Sequence, residues 1–431
     1  MTIQHGRLGS SSILCAFLAT ICLGAVAATP KELVLDGQHA LPAMKVAVAN
    51  HETSKVMEGT TVSAGQSDAP GGAVSVSRTP DHALTLQWKQ VWYGALRLDA
   101  GEPIDLRPYL AHGVLALDLK VTDMAKGGLN MKIRCGNDCE RKVPFVLPSR
   151  ALSGKGWQHL VFSMRCFARE GDDFSAVTQP FELEASGTGE AAIRKVSILK
   201  QGKVNTRCPD YKTVSVQADM LNEAWAIDWW LPRHLQKLEE VKRSPDAQLV
   251  FIGDSITQGW EKEGAPVWDR YYKPYKAVAL GFGGDRTENV LWRLQHGEVD
   301  GLTPKVAVLM FGTNNTGHRQ EDPVTVAAGV KRNIEELRKR LPSTRILLLA
   351  IFPREAKPDA SARRLNDRIN VLLSGLADQQ HVYYLDINQA FLDADGKLSP
   401  DIMPDYLHPN EKGYEIWAQA MQAPLLKLLQ Q

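Results

Sequence analysis

Two hydrophobic patterns divide the chain. Between about residues 34 and 206, apolar and polar positions alternate. Leu115, Leu117, Leu119 and Val121 fall on one side of an extended chain, and Ala116, Asp118 and Lys120 fall on the other. A period of two marks a strand buried on one face. Similar short runs occur at 83–88, 131–134, 160–164 and 193–199, punctuated by Gly, Pro, Asp and Ser, and no long helical stripe is present. The expectation is an antiparallel β-sandwich over 34–206.

From about residue 222 the apolar runs become continuous, at 249–252, 306–311, 346–352 and 382–387. Strands without a polar face suit a parallel sheet covered on both sides. Helical stretches at 231–242, 285–295, 323–340, 362–377 and 411–429 alternate with them. This predicts an α/β unit over 222–431, three layers deep, with 207–221 as the linker.

Chemistry collects where these strands end. Run 249–252 leads into Gly253-Asp254-Ser255-Ile256, then a helix candidate. A serine there is exposed beside a helix N-terminus, which favours developing negative charge. The bland use of Gly-Asp-Ser is a helix cap. Ala279-Leu280 opens into Gly281-Phe282-Gly283-Gly284-Asp285-Arg286, whose backbone N–H groups can approach a ligand closely. The next strand ends in Gly312-Thr313-Asn314-Asn315, and Asp405-Tyr406-Leu407-His408-Pro409-Asn410 follows near the C-terminus. A hydroxyl needs a base to take its proton, and a neutral imidazole such as His408 is suited to that at working pH. Asp405 lies three residues earlier, so one helical turn would set its carboxylate beside the ring.

These four blocks resemble the SGNH or GDSL hydrolases. A closer resemblance, to the catalytic subunits of platelet-activating-factor acetylhydrolase and their bacterial relatives, is carried by Gly283-Gly284-Asp285, Val290-Leu291-Trp292-Arg293-Leu294, Gly297-Glu298, Pro304-Lys305-Val306 and the later motifs. The resemblance covers about 247 to the C-terminus and implies a five-stranded parallel sheet. It implies Ser255 as nucleophile with Asp405 and His408 as acid and base. It also implies an oxyanion hole from Ser255, Gly284 and Asn314. Relatives often carry Asn where this chain has Ala279, which touches no catalytic group. In the first half, Trp88, Trp92-Tyr93, 95–99, Trp157-Gln158 and Cys166-Phe167 resemble the galactose-binding-like domain of some exported family 3 glycoside hydrolases. That implies a non-catalytic module, which either binds carbohydrate or packs on the catalytic unit.

Other residues admit two uses. Trp225, Trp229, Trp230 and Trp260 could wall a substrate or pack the core. His318 and Arg319 could line the pocket or belong to a solvated loop. Asp285 and Thr287 most simply cap the helix reaching Gln295.

Composition narrows the class. Apolar residues make up 44% and charged residues 23%, as in an ordinary globular chain. The 50 Lys and Arg against 49 Asp and Glu leave a net charge of +1, which carries no basic footprint for nucleic acid. No metal-ligand spacing stands out, so neither metal nor cofactor is expected. Residues 1–27 read as a secretory leader: Arg7, an apolar run over 13–26 and the small-x-small site Ala25-Val26-Ala27. No membrane span is expected after its removal, and the product would be periplasmic or secreted. Of six cysteines, Cys135, Cys139, Cys166 and Cys208 remain, enough for two disulfides in three connectivities. The short loop makes Cys135–Cys139 plausible, which would leave Cys166 for Cys208. Together these features point to an exported serine esterase removing short acyl groups, acetyl above all, from carbohydrate. The rivals are an acetyl- or lyso-phospholipid esterase and a catalytically silent sugar-binding protein.

Overall fold

A computed structural model describes residues 33–35, 44–66, 71–135, 139–169 and 171–430. The expected leader, 1–27, lies outside the described residues. Among the described residues, the N-terminal region has ten strands: β1 (Leu33–Leu35), β2 (Met44–Asn50), β3 (Ser54–Val56), β4 (Thr61–Gly65), β5 (Ala73–Arg78), β6 (Leu84–Ala100), β7 (Val114–Arg134), β8 (Glu140–Pro144), β9 (Gln158–Ser163) and β10 (Gln179–Leu199). All pair antiparallel, in the order β3-β2-β6-β10-β7-β8. β1 lies on β10, β9 on β7, and β5 joins β4 to β6. Short helices α1 (Arg107–Leu110) and α2 (Val146–Ala151) sit in two connections.

Here the alternation misled in length. β6, β7 and β10 run 17, 21 and 21 residues, merging runs that glycine had seemed to separate. Gly127 and Gly187 pair across β7 and β10, both at positive φ, and register shifts flank the site. A Cβ on Gly127 would stand 2.0 Å from the Ser186 carbonyl oxygen. These glycines mark bulges inside strands rather than turns between them. The apolar faces of the strands converge on one core that includes Leu86, Leu96, Leu117, Phe162 and Leu183. Disulfides join Cys135 to Cys139 and Cys166 to Cys208.

The second region holds β11 (Leu249–Gly253), β12 (Val278–Gly281), β13 (Val306–Met310), β14 (Arg345–Leu349) and β15 (Val382–Leu385), all parallel in the order β12-β11-β13-β14-β15. Its helices are α3 (Trp230–Lys242), α4 (Ser255–Gln258), α5 (Ala265–Tyr271), α6 (Thr287–Gln295), α7 (Thr313–Arg319), α8 (Pro323–Arg340), α9 (Ser361–Ser374) and α10 (Glu411–Gln430). Successive residues of β11 serve different layers. Val250 and Ile252 join a core with Val290, Val330, Ile334 and Ile369 from α6, α8 and α9. Leu249 and Phe251 join another with Val267, Trp417 and Met421 from α5 and α10. Three layers result, as continuous apolar strands require. Among the described residues, no helix is long and apolar enough to cross a membrane.

Candidate active site

β11 delivers Ser255 to the carboxyl edge of the sheet. Asp254 takes the cap position, its side chain accepting from the Ile256 N–H at 3.0 Å, and Ser255 is the first helical residue. The helix it opens, α4, has only four residues, so little macrodipole stands behind the serine. Its hydroxyl lies 2.8 Å from His408 Nε2, and His408 Nδ1 lies 2.6 Å from Asp405 Oδ2.

The expected helical turn between Asp405 and His408 is absent. Asp405 Oδ1 instead accepts the N–H groups of Leu407 and His408, at 3.0 and 2.8 Å, with Tyr406 at φ 57° between them. This side-chain-capped turn still sets carboxylate and ring together, because the chain folds back on the aspartate itself. Burial pushes the Asp405 carboxyl up, but the bonds from His408 outweigh it and hold it below the ordinary value.

The glycine loop after β12 lies alongside. Gly283 donates to Gln258 Oε1 at 2.7 Å, and Phe282 donates to the Gly253 carbonyl at 3.1 Å, tying the loop to the serine's own turn. Gly284 has φ +76°, and a Cβ there would fall 2.1 Å from Cη2 of Trp225. Asn314, buried at the start of α7, donates from Nδ2 to the Asp285 carbonyl at 3.0 Å. The amide has two N–H groups, so that bond occupies only one of them.

Asp285 does not cap α6. The cap residue is Arg286, with Thr287 the first helical residue. Fully buried, Asp285 accepts from Trp230 Nε1 at 2.6 Å and from Arg293 Nε at 2.7 Å. Arg293 also pairs with buried Glu298 and donates to the carbonyls of Leu280 (3.3 Å) and Gly253 (3.1 Å). The sequence signal was an arginine on the apolar face of α6, beside Val290 and Leu294. Burial pushes Asp285 up to about 6 and Glu298 up to about 7 against the pull of Arg293. Burial likewise carries Asp254 up to about 7, despite the Ile256 N–H.

The tryptophans divide by burial. Trp230 and Trp260 are core residues, both 1% exposed. Trp225 is 43% exposed, and Trp229 lies beside it with ring centroids 6.2 Å apart. His318 faces Trp225 at 6.1 Å, while Arg319 is paired with Glu288 and Glu321. Among the described residues, one group offers metal-type ligands, Cys135, Cys139 and Asp172, and its two sulfurs share a disulfide.

Three layers with a serine, an imidazole and a carboxylate gathered on the sheet edge define an α/β acylhydrolase. The chain belongs to the GDSL-like lipase/acylhydrolase family, which matches residues 251–416. The alpha1 subunit of platelet-activating factor acetylhydrolase IB from Bos taurus is 35% identical over 203 residues, 47% of this chain and 84% of that protein. Residues 46–198 match a family described as galactose-binding domain-like. Among solved structures, a GDSL-like lipase from Bacteroides thetaiotaomicron shares 18% identity over 45% of this chain and 97% of its own, with a TM-score of 0.38. The extra C-terminal domain of an exo-1,3/1,4-β-glucanase from a Pseudoalteromonas species shares 18% over 40% and 95%, with a TM-score of 0.33.

Proposed function

We propose that this protein is an exported serine esterase that removes short acyl groups, acetyl foremost, from carbohydrate. The observation that carries the chemistry is the relay Ser255–His408–Asp405, at 2.8 and 2.6 Å. In this reading the Ser255 hydroxyl attacks the ester carbonyl as His408 Nε2 takes its proton. Asp405 holds the ring's other nitrogen and stabilises the imidazolium. The N–H groups of Ser255 and Gly284 and the remaining amide N–H of Asn314 receive the oxyanion. The imidazolium then protonates the departing alcohol, and water repeats the sequence to release the acid. Two disulfides support an oxidising compartment and hence export.

The wild-type protein should hydrolyse p-nitrophenyl acetate, and Asn314→Ala should lower kcat by about 10²–10³-fold, the usual loss for one oxyanion donor. A wild-type protein silent on acetate, propionate and butyrate esters ends the reading. The alpha1 relative favours a second substrate class, an acetylated lipid. Faster turnover of an acetylated phospholipid than of acetylated xylan would select it.

The carbohydrate half of the proposal draws on the galactose-binding-like match and on Trp92. This residue stands 62% exposed on β6, with the His51 ring 5.2 Å and the Tyr93 ring 6.2 Å away. Exposed aromatic faces of this kind suit the apolar face of a sugar ring. In a native gel containing xylan or β-glucan, the whole protein should be retarded and Trp92→Ala released. Equal mobility of the two on every polysaccharide removes Trp92 from the proposal.

A further inference from the structure

Residues 223–229 belong to neither sheet, yet both regions grip them. Glu223 takes Lys142 of β8 on one oxygen at 2.8 Å and Arg286, two residues past Gly284, on the other at 3.0 Å. Asp228 accepts from Arg150 at 2.8 Å and from the Gly127 N–H at 3.2 Å, both in the N-terminal region. Between these anchors lies Trp225, whose carbonyl accepts from Trp229 Nε1 at 3.0 Å. The segment is thus clamped at both ends, and its Trp225 ring lies against Gly284, nearer than a Cβ would allow.

We infer that Trp225 is a stacking platform for the alcohol half of the substrate, a neutral pyranose ring, and that the N-terminal region holds this platform beside the catalytic loop. The inference rests on the esterase reading for the position of the ester. A carbonyl oxygen bound at Gly284 N–H brings the rest of the substrate within reach of the indole. Trp225 is 43% exposed, so it forms an open rim rather than a closed acyl pocket. An open rim suits the larger, departing part of the ester.

The surroundings choose the chemistry. Trp229 and His318 extend the aromatic surface. Arg286 Nη1 lies 3.4 Å from His318 Nδ1, so the guanidinium disfavours a second positive charge on the imidazole. Arg286 itself is spent on Glu223 and Glu288, and Arg319 on Glu288 and Glu321. A phosphate headgroup would find those two cations already engaged, whereas a sugar ring needs only the apolar face.

The test is run on the full chain, with acetylated xylo-oligosaccharides as the probe. In a Ser255→Ala background, where nothing turns over, calorimetric titration reads binding alone. Adding Trp225→Ala should weaken binding about fivefold, and Trp225→Tyr should restore most of it. In the active enzyme, Trp225→Ala should lower kcat/KM on the same sugar esters by a similar factor. Methyl acetate, whose alcohol cannot reach the indole, should fall by a smaller factor, which reads only the loss of the indole packed on Gly284. The proposal is overturned if the Ser255→Ala protein does not bind the probe, if Trp225→Ala binds it equally, or if sugar ester and methyl acetate fall by the same factor. A wild type inactive on every ester would sink the esterase reading alone, because the titration would still decide the platform.

Discussion

Ser255→Ala is expected to lower the hydrolysis of p-nitrophenyl acetate by at least about 10⁴-fold, leaving only the rate that binding and oxyanion donors sustain. The substitution removes one oxygen atom, the partner of His408 Nε2. Asp254, which caps the turn, and Gln258, which ties it to Gly283, are untouched. The fold should therefore be unchanged, with a melting temperature within about 2 °C of wild type. A dialkyl p-nitrophenyl phosphate gives a second readout. It should add one phosphoryl group to the peptide containing Ser255, displace p-nitrophenol stoichiometrically, and leave the alanine variant unlabelled. Retention of more than about 1% of wild-type activity in Ser255→Ala would mean that another group performs the attack, and the relay would lose its assigned role.

The parallel sheet could be read from the chain because burial on both faces leaves a plain signal. Runs such as 249–252 contain no polar residue, and the helices between them carry their own period. That the motifs would be neighbours was legible for a related reason: a sheet of this kind places the ends of its strands together, so motifs distant in sequence share an edge. The reading broke down where a residue's role depends on a partner that no local pattern names. Asp285 looks like a helix cap until Arg293 and Trp230 are seen to enclose it. Glycine serves as punctuation in the sequence, yet Gly127 and Gly187 sit inside strands, where a Cβ on either would strike the Ser186 or Lys126 carbonyl. Trp225 stands in sequence as one of four tryptophans open to two uses, and its place at Gly284 is visible only with the ion pairs that reach into both regions. The Asp405–His408 spacing suggested a helical turn, but the aspartate's appetite for nearby N–H groups built a tighter one.

Arg293 is where a single change should cost most in stability. Its guanidinium is wholly buried and faces two wholly buried carboxylates, Asp285 and Glu298, while it also donates to the carbonyls that end β11 and β12. Arg293→Met fills much of the same volume but leaves both acids without a cation. Removing one partner of a buried ion pair typically costs about 3–5 kcal/mol. The loss should depend on pH in a definite direction. Burial already raises both folded carboxyls, to about 6 and about 7, above ordinary unfolded values near 4. A raised carboxyl contributes stability that is complete below its unfolded value and is lost as pH climbs through the folded one. Without Arg293 the two acids must rise further, so the variant's deficit should be larger at pH 8 than at pH 5. Urea midpoints at the two pH values measure this. A deficit below about 1 kcal/mol, or one equal at both pH values, would contradict the argument. Neutralising the acids as well, with Asp285→Asn and Glu298→Gln added to Arg293→Met, should recover much of the loss at pH 8 if uncompensated charge is its cause. Activity need not return with stability, because the Asp285 carbonyl holds Asn314 Nδ2 in place, and that contact depends on the loop conformation the arginine enforces.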